Sequence, residues 1–379
     1  MRKLRVLACS FALAATLAGP ALAVSAPYAT ASLPPELSSR PAAETCPSLR
    51  SGTYRVISPT LGGTLRDQTG KGVLDAAKLT YTRPDGSQGT WEAQGSCRFV
   101  DKGADGYSVE YVVSKAGMFV GRVIVNAGSS FRVVIGFPEQ AHALTELAGT
   151  WNVLGLRRGS ENFYPDGGST TFDQLGSPIE AVECGTPANW SIASCGAVPQ
   201  DVLKADPPFV VDATGGFATS SPSRTKRLFL YKAGTGYPMV FGIASDGSFF
   251  MGAIAEAMDM PSVGLSTRSW NFDITGRLAA ATNIYSISSI TVETDAKLGS
   301  WVRSKQNIGL ADEHLETLIA NKPRNGYFTR PAGEAPTRGG AEVRMLRFNE
   351  LTALNLPGMG FNVLVLPAVK LFEISVIHP

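Results

Sequence analysis

Residues 147–156 read Leu-Ala-Gly-Thr-Trp-Asn-Val-Leu-Gly-Leu, and this stretch decides the fold because it recurs along the chain. A near-copy at residues 50–59 reads Arg-Ser-Gly-Thr-Tyr-Arg-Val-Ile-Ser-Pro, and a fainter copy at residues 267–274 reads Thr-Arg-Ser-Trp-Asn-Phe-Asp-Ile. In each copy a small or polar lead-in precedes one large aromatic residue and a run that alternates apolar with polar side chains. Such a run predicts a β-strand whose aromatic residue closes the end of a sheet core.

The composition favours the same fold class. Charged residues are only 17% of the chain, whereas it holds 40 glycines and 24 prolines, a profile typical of strands joined by turns. The length of 379 residues supports two or three domains. The formal net charge is +2, so nothing in the charge points to nucleic acid or an anionic membrane as partner.

Residues 1–23 have the pattern of a secretory signal peptide, with a basic start, an apolar run and the cleavage site Ala21-Leu22-Ala23. The apolar run is too short for a membrane span, and no later segment approaches about 18 uncharged apolar residues. Cys9 would suit a lipoprotein if the apolar stretch preceded it, but the stretch follows it. We therefore expect a protein exported to the periplasm or the medium.

The rest of the chain divides into a tether and a repeat. Residues 24–45 are rich in proline, alanine and serine without periodicity, which predicts a flexible tether. An identical Lys-Ala-Gly turn at residues 115–117 and 232–234 supports a duplication. We predict three β units, the third divergent, at residues 46–146, 147–263 and 264–379.

The alternation of side chains predicts the elements within these units. The first unit reads as a meander of roughly six strands, and a short linker helix follows Pro138. Residues 155–187 are mostly turn-forming and predict a loop at a barrel mouth. Residues 311–320 predict a helix, and residues 371–377 a closing strand. The fold class is therefore all-β, with tandem antiparallel β-barrel or β-sandwich units and short linker helices.

Four cysteines remain once Cys9 is removed with the signal peptide, and an even count in an exported protein first indicates disulfides. Cys46 and Cys97 lie in the first unit, and Cys184 and Cys195 in the second, so we predict one disulfide within each. Zinc is the alternative, but the chain has no Cys-x-x-Cys pair and no histidine near these cysteines. We predict neither a metal nor a cofactor.

Aromatic residues mark the predicted strand starts. The first interpretation is structural, as plugs of the sheet cores, and the alternative is that some of them line a cavity for an apolar ligand. The set is Tyr54, Trp91, Trp151, Trp190, Trp270 and Trp301.

Residues with catalytic chemistry form no recognisable constellation. The three histidines, His142, His314 and His378, read as surface or capping residues. Ser223 and Lys226 fit a serine–lysine pair, but Pro222 and the strand that follows favour a polar loop. Paired carboxylates remain open because their spacing in space cannot be read along the chain.

Acidic residues crowd the start of the predicted third-unit helix. Asp312, Glu313 and Glu316 stand in its first turn, where negative charge complements the helix dipole. This placement predicts a structural role for them and no catalytic site.

Gly149-Thr150-Trp151, with a short helix before it and hairpins after it, resembles the lipocalin or calycin signature. In that family a Gly-x-Trp opens the first strand of a ligand-holding barrel and the tryptophan closes its base. Gly52-Thr53-Tyr54 fits with tyrosine in place of tryptophan. The family's arginine that packs on the tryptophan has no counterpart in residues 248–255, although Arg132 could serve in the first unit. The resemblance implies a barrel that binds a small ligand.

Three functional readings follow, and a non-enzymatic role is preferred. The first is an exported binding protein for a small apolar molecule or a protein partner. The second is a structural or adhesive surface protein. The third is a hydrolase whose site is assembled from distant residues. An apolar cavity in a barrel would favour the first, an exposed apolar patch over filled cores the second, and converging acids in a cleft the third.

Overall fold

The computed structural model is an almost entirely β protein with three antiparallel sheets. The predicted signal peptide and tether lie outside the residues that it describes. Among the described residues no helix is long and apolar enough to cross a membrane. The described ranges are 46–58, 69–83, 85–103, 108–125, 130–158, 163–184, 195–221, 224–234, 238–275, 284–308, 313–338, 343–356, 359–366 and 371–377.

The first sheet is an up-and-down barrel of nine strands, more than the six predicted. Its order is β4-β3-β2-β1-β9-β8-β7-β6-β5, so β1 pairs with β9, and in the described part of this barrel β4 and β5 share no ladder. Trp91 alone separates these two edge strands along the chain. The strands are β1 (Gly52–Ile57), β2 (Thr69–Asp75), β3 (Thr80–Thr82), β4 (Gln88–Thr90), β5 (Glu92–Gly95), β6 (Arg98–Lys102), β7 (Ser108–Val113), β8 (Phe119–Val125) and β9 (Ser130–Pro138).

The second sheet repeats this plan with nine strands in the order β13-β12-β11-β10-β18-β17-β16-β15-β14. A 3₁₀-helix, Leu144–Leu147, leads into it, and the helix α1, Gln200–Ala205, stands between its two edge strands. The strands are β10 (Gly149–Arg158), β11 (Phe163–Phe172), β12 (Pro178–Cys184), β13 (Cys195–Ala197), β14 (Val210–Val211), β15 (Phe217–Ser220), β16 (Thr225–Lys232), β17 (Pro238–Ala244) and β18 (Phe249–Ile254).

The third sheet closes fully. Because β21 also pairs with β22, eight strands form a ring in the order β19-β20-β21-β22-β23-β26-β27-β28, and the β24–β25 hairpin extends from β22. The strands are β19 (Ser266–Thr275), β20 (Ile284–Asp295), β21 (Ser300–Asn307), β22 (Glu313–Ala320), β23 (Tyr327–Arg330), β24 (Gly333–Arg338), β25 (Met345–Phe348), β26 (Leu351–Leu356), β27 (Phe361–Leu366) and β28 (Leu371–Ile377).

The helix predicted at residues 311–320 is wrong, because Glu313–Ala320 forms β22 in register with β21. The apolar spacing of this segment also fits a helix, and tertiary pairing decides between the two. In the strand Glu316 lies opposite Arg303, and Leu318 lies opposite an inward-facing tryptophan. These cross-strand partners supply contacts that the isolated segment does not contain.

The loop predicted at residues 155–187 is also wrong over most of its length, because β10, β11 and β12 cover much of it. Glycine suits these strands where two backbones approach closely. A Cβ built on Gly168 would lie 2.0 Å from the carbonyl oxygen of Val182. A glycine at this position therefore belongs to a tight strand pair and does not indicate a turn.

Inward-facing aromatic rings lie across glycines on the neighbouring strand. Phe119 covers Gly136, and Phe250 covers Gly242, so that a Cβ on either glycine would lie 1.9 Å from the ring. A ring in this position shields the backbone of the glycine and fixes the register of the two strands. The first two barrels use the same device.

The outward faces of the three barrels share a common apolar core. Phe137 of the first barrel stacks on Phe241 of the second, with ring centroids 4.3 Å apart, and Phe249 of the second meets Phe372 of the third. Strand alternation explains this core, because successive side chains point to opposite faces of a sheet. One face fills a barrel and the other packs against the neighbouring barrel.

Buried polar contacts fix these junctions. Arg55 of β1 is 2% exposed, donates two hydrogen bonds to Glu139, and lies 4.7 Å from the ring centroid of Phe229 in the second barrel. Tyr327 of the third barrel donates to the carbonyl oxygen of Gly168, at 2.5 Å. Burial raises the pKa of Tyr327, so this hydroxyl stays protonated and remains a donor.

Trp151 is the third residue of β10 and only 1% exposed. It lies in register with Ile254 on β18 and packs among Leu147, Phe217 and Leu230. Its indole nitrogen donates to the carbonyl oxygen of Leu147 at 2.7 Å, so its one polar group is satisfied inside the core. The Trp151 side chain closes one end of the second barrel, the end next to the 3₁₀-helix Leu144–Leu147.

We predict that Trp151→Ala lowers the free energy of unfolding by about 3–5 kcal/mol, the range for truncating a large buried aromatic side chain. Urea unfolding followed by circular dichroism measures the loss. Trp270→Ala is the matched control, because Trp270 is only partly buried and should cost less. A thermal transition within about one degree of wild type would contradict the role of Trp151 as a core plug.

Candidate functional site

Aromatic rings fill the first barrel. Trp91 lies 4.5 Å from the ring centroid of Tyr111 and 5.4 Å from those of Phe99 and Phe119. All four side chains are buried, and the disulfide between Cys46 and Cys97 belongs to the same cluster. Offset and edge-to-face rings at these distances pack favourably. The interior of this barrel is therefore a solid core.

An ion network occupies the third barrel. The side chain of Glu316 is 0% exposed and contacts both Arg303 and Arg330, the latter at 2.7 Å. Burial alone would raise the pKa of Glu316, but Arg303, Lys305 and Arg330 outweigh it and hold the pKa well below its usual range. A buried carboxylate with several cations and hydrogen bonds is satisfied in place. This cluster fixes the barrel interior, so the dipole role predicted for Glu316 is wrong.

A second polar cluster of the third barrel brings two acids together. Asp273 of β19 lies directly opposite Glu373 of β28, and Tyr285 donates a hydrogen bond to Glu373. Burial, and then the charge of Glu373, raises the pKa of Asp273. The pKa of Tyr285 is also raised, first by burial and then by the two acids. Like charges in a buried pair favour retention of a proton.

This pair predicts a pH-dependent stability. A carboxyl group whose pKa is raised in the folded state contributes stability below its unfolded pKa of about 4 and loses it as the pH rises through the folded value. Asp273→Asn cannot ionise, so it should melt more than about 2 °C above wild type at alkaline pH, and the difference should shrink towards acid pH. Thermal melts across the pH range measure this.

Asp259→Asn is the control for that experiment. Asp259 is an exposed acid just before the third barrel, and its substitution should leave the pH profile unchanged. If Asp273→Asn and wild type lose stability in parallel as the pH rises, the buried pair does not hold a proton.

The second barrel contains a cavity of about 220 Å³. Small side chains at Ala181 and Ala244 line this cavity, and Gly155 and Gly168 line it where two backbones approach closely. Large apolar side chains surround the remaining space, among them Trp151, Phe172, Phe209, Leu228, Val240 and Phe250. A mainly apolar lining with a few polar groups is typical of a small-molecule site.

Charged side chains form one end of this cavity. Arg157 Nε contacts Asp166 at 2.7 Å, and the Arg157 guanidinium contacts Glu183 at 2.7 Å. Burial raises the pKa of Asp166, an effect only partly opposed by Arg157. Burial alone would lower the pKa of Arg157, but Glu183 and Asp166 raise it. The cavity is therefore amphipathic, with an apolar base and an ionic end.

The helix α1 covers the gap between the two edge strands of the second barrel. Val202 and Leu203 of α1 line the cavity, and Gln200 donates to the carbonyl oxygen of Ile179 on β12 at 3.0 Å. Among the described residues β13 and β14 share no ladder. The helix and the chain after it close the barrel at this point, where the Phe209 amide donates to the carbonyl oxygen of Gly176 at 3.0 Å.

The structure joins the cysteines in the predicted pairs, Cys46 to Cys97 and Cys184 to Cys195. Cys184 and Cys195 are also direct cross-strand partners in β12 and β13. The first disulfide joins the segment before β1 to the turn between β5 and β6. The second joins β12 to β13, the last strand before α1. They hold the barrels at their incomplete edges.

The predicted aromatic plugs have different environments. Tyr54, Trp91, Trp151 and Trp301 are buried within their barrels. Trp270 faces away from its own barrel, with the Arg98 guanidinium 4.2 Å from its ring centroid. Trp190 lies outside the described residues. Among the predicted aromatic plugs that the structure describes, Trp151 is the one that lines the cavity of the second barrel.

His142, His314 and Lys226, the described members of the predicted histidine and serine–lysine sets, each have their own surroundings. His142 contacts Glu146 at 3.3 Å before the 3₁₀-helix. His314 lies on the inward face of β22, and burial lowers its pKa, so its surface reading is wrong. Lys226 pairs with Asp206 at 2.5 Å. Ser223, His378 and the side chain of Arg132 lie outside the described residues.

The comparisons with known proteins are limited. No family model and no curated protein matches the sequence. Transferrin binding protein B from serogroup B Neisseria meningitidis is 11% identical, with 82% of this chain and 64% of that chain covered and a TM-score of 0.20. A mutant of transferrin binding protein B from Haemophilus parasuis Hp5 is 10% identical, with 86% and 75% covered and a TM-score of 0.19. The chain spans less than two thirds of the Neisseria protein, and TM-scores this low carry no argument.

Proposed function

We propose that this protein is a non-enzymatic binding protein that holds a small, mainly apolar molecule inside the second barrel. The observation that carries the proposal is the cavity of about 220 Å³ above Trp151. An apolar cavity of about 150 Å³ is enough to hold benzene, so this one accommodates a somewhat larger molecule. The first barrel, built on the same plan, contains aromatic rings at the corresponding level.

The alternative readings have weaker support. Asp273 and Glu373 are converging acids, which the hydrolase reading needs, but they lie inside a closed ring of strands. The two acids at the cavity of the second barrel, Asp166 and Glu183, are both paired with Arg157. Ligand retention requires only shape and apolar surface, and the cavity offers both.

A protein partner is the second candidate function. Exposed apolar side chains gather near α1 and the edge strand β14, and several of them are more than half exposed. Exposed apolar patches of this kind mark interaction surfaces. The members are Leu175, Ile179, Val202, Val210 and Val211.

Export and lipocalin-like kinship belong to the same proposal. Two disulfides are typical of proteins in oxidising compartments, which supports a periplasmic or extracellular location. Gly149-Thr150-Trp151 opens a barrel whose base the tryptophan closes, as in lipocalins, although the barrel has nine strands.

We predict that filling the cavity abolishes ligand binding. Ala181→Leu adds three carbon atoms at a position that lines the cavity, so n-butylbenzene should no longer raise the melting temperature. Wild type should gain about 2–3 kcal/mol at a ligand concentration near one hundred times the dissociation constant. Differential scanning calorimetry with and without n-butylbenzene measures the effect.

Ala218→Leu is the matched control, because Ala218 lies between the inward-facing Phe217 and Thr219 on β15 and points out of the barrel. It should retain the ligand response of wild type. Equal responses from both variants would place the binding elsewhere, and the lack of any response in wild type would refute the proposal. Native mass spectrometry of the protein from its own source then shows the carried molecule.

A further inference from the structure

We infer that the natural ligand of the second barrel joins a protonated amine to its apolar body, with the amine held by Asp166 and Glu183. This inference rests on the proposed function and adds the chemical class of the ligand. Its basis is the partner of each charged side chain at the cavity. The lining holds three cations and three acids, and one of the cations, Arg224, is paired with Asp246 outside the lining.

The ionic end of the cavity has one more negative charge than its ion pairs balance. Within the described ranges, the Arg157 guanidinium is the one cation paired with either carboxylate, and it serves both. Glu183 takes two of its donors, at 2.7 and 3.2 Å, and Asp166 takes Nε. One positive guanidinium is therefore paired with two negative carboxylates, which leaves a net charge of −1 for this group of three side chains.

The other charged residues that line the cavity do not remove this excess. Lys226 contacts Asp206 at 2.5 Å, and Arg224 contacts Asp246 at 3.1 Å. Each of these cations has its own acid, so both pairs are neutral. Tyr164 lies next to Arg157 and is uncharged, because burial raises its pKa.

Asp166 is the deeper of the two acids, with its side chain 20% exposed against 51% for Glu183. It accepts from the amide of Gly167 at 2.9 Å, yet each carboxylate oxygen has two acceptor positions. A partly buried carboxylate that shares its only cation attracts a further cation strongly, since the local dielectric is low. An ammonium group supplies both the charge and the missing donors.

The size of the cavity limits the rest of the ligand. A volume of about 220 Å³ leaves room for one aromatic ring and a short arm, judged against the benzene-sized cavity of about 150 Å³. The base of the cavity is apolar, and the two acids lie at its far end. A matching ligand has its apolar group at one end and its charged amine at the other. The compound class is a small arylalkylamine or alkylamine.

The test is isothermal titration of the full-length protein at neutral pH with 2-phenylethylamine, 2-phenylethanol and phenylacetate. These probes share the ring and differ in the charge at the end of the arm. We expect the amine to bind at least about tenfold more tightly than the alcohol, and phenylacetate to bind most weakly. Asp166→Asn should reduce the preference for amine over alcohol to within about threefold.

Glu180→Gln is the matched control, since it removes the same charge from an exposed position of β12 and should retain the wild-type preference. Retained alcohol binding by Asp166→Asn shows that the variant is folded. If the alcohol binds as tightly as the amine, or phenylacetate binds best, the amine inference is overturned while the cavity function stands. If no probe binds wild type, the proposed function fails with it.

Discussion

The double burial of β10 is the constraint on which the rest of the structure depends. Trp151 and Val153 face into the second barrel, whereas Asn152 and Leu154 face the third. A strand buried on both faces cannot shift by one residue without exchanging its two sets of neighbours. The hydrogen bonds of Tyr327 to the backbone of Val153 and Gly168 fix this register from outside the barrel.

The three barrels show how one strand plan accommodates different interiors. Rings stacked on glycines fill the first, and salt bridges occupy the third. The second keeps an open space beside the small side chains of Ala181 and Ala244. A cavity in a folded protein gives up dispersion contacts and hydrophobic burial, so a tightly packed sequence would be the more stable one. The small residues at this level are consistent with selection for an occupant.

The sequence predicted some elements of this fold and missed others for physical reasons. Alternation and Gly-x-aromatic starts identify strands such as β10 because their apolar faces are regular. The helix prediction for residues 311–320 failed because the strand depends on cross-strand partners. Glu316 lies beside Arg303 once β21 and β22 pair, and the sequence of the segment alone does not show this partner. The charged end of the cavity was missed for the same reason. A charged residue such as Asp166 in an alternating strand is ordinarily predicted to face solvent. In the closed barrel its side chain faces the cavity.

The gap in the second barrel has a consequence for rates. The edge strands of the first barrel continue through Trp91, so opening that barrel would disrupt its aromatic core. In the second barrel six residues of α1 cover the gap, and they pack by side chains without joining a ladder. On the proposed binding function, an occupant would leave when α1 moves away, by a local opening that costs less than unfolding. Residence time and global stability would then be set by separate parts of the same domain.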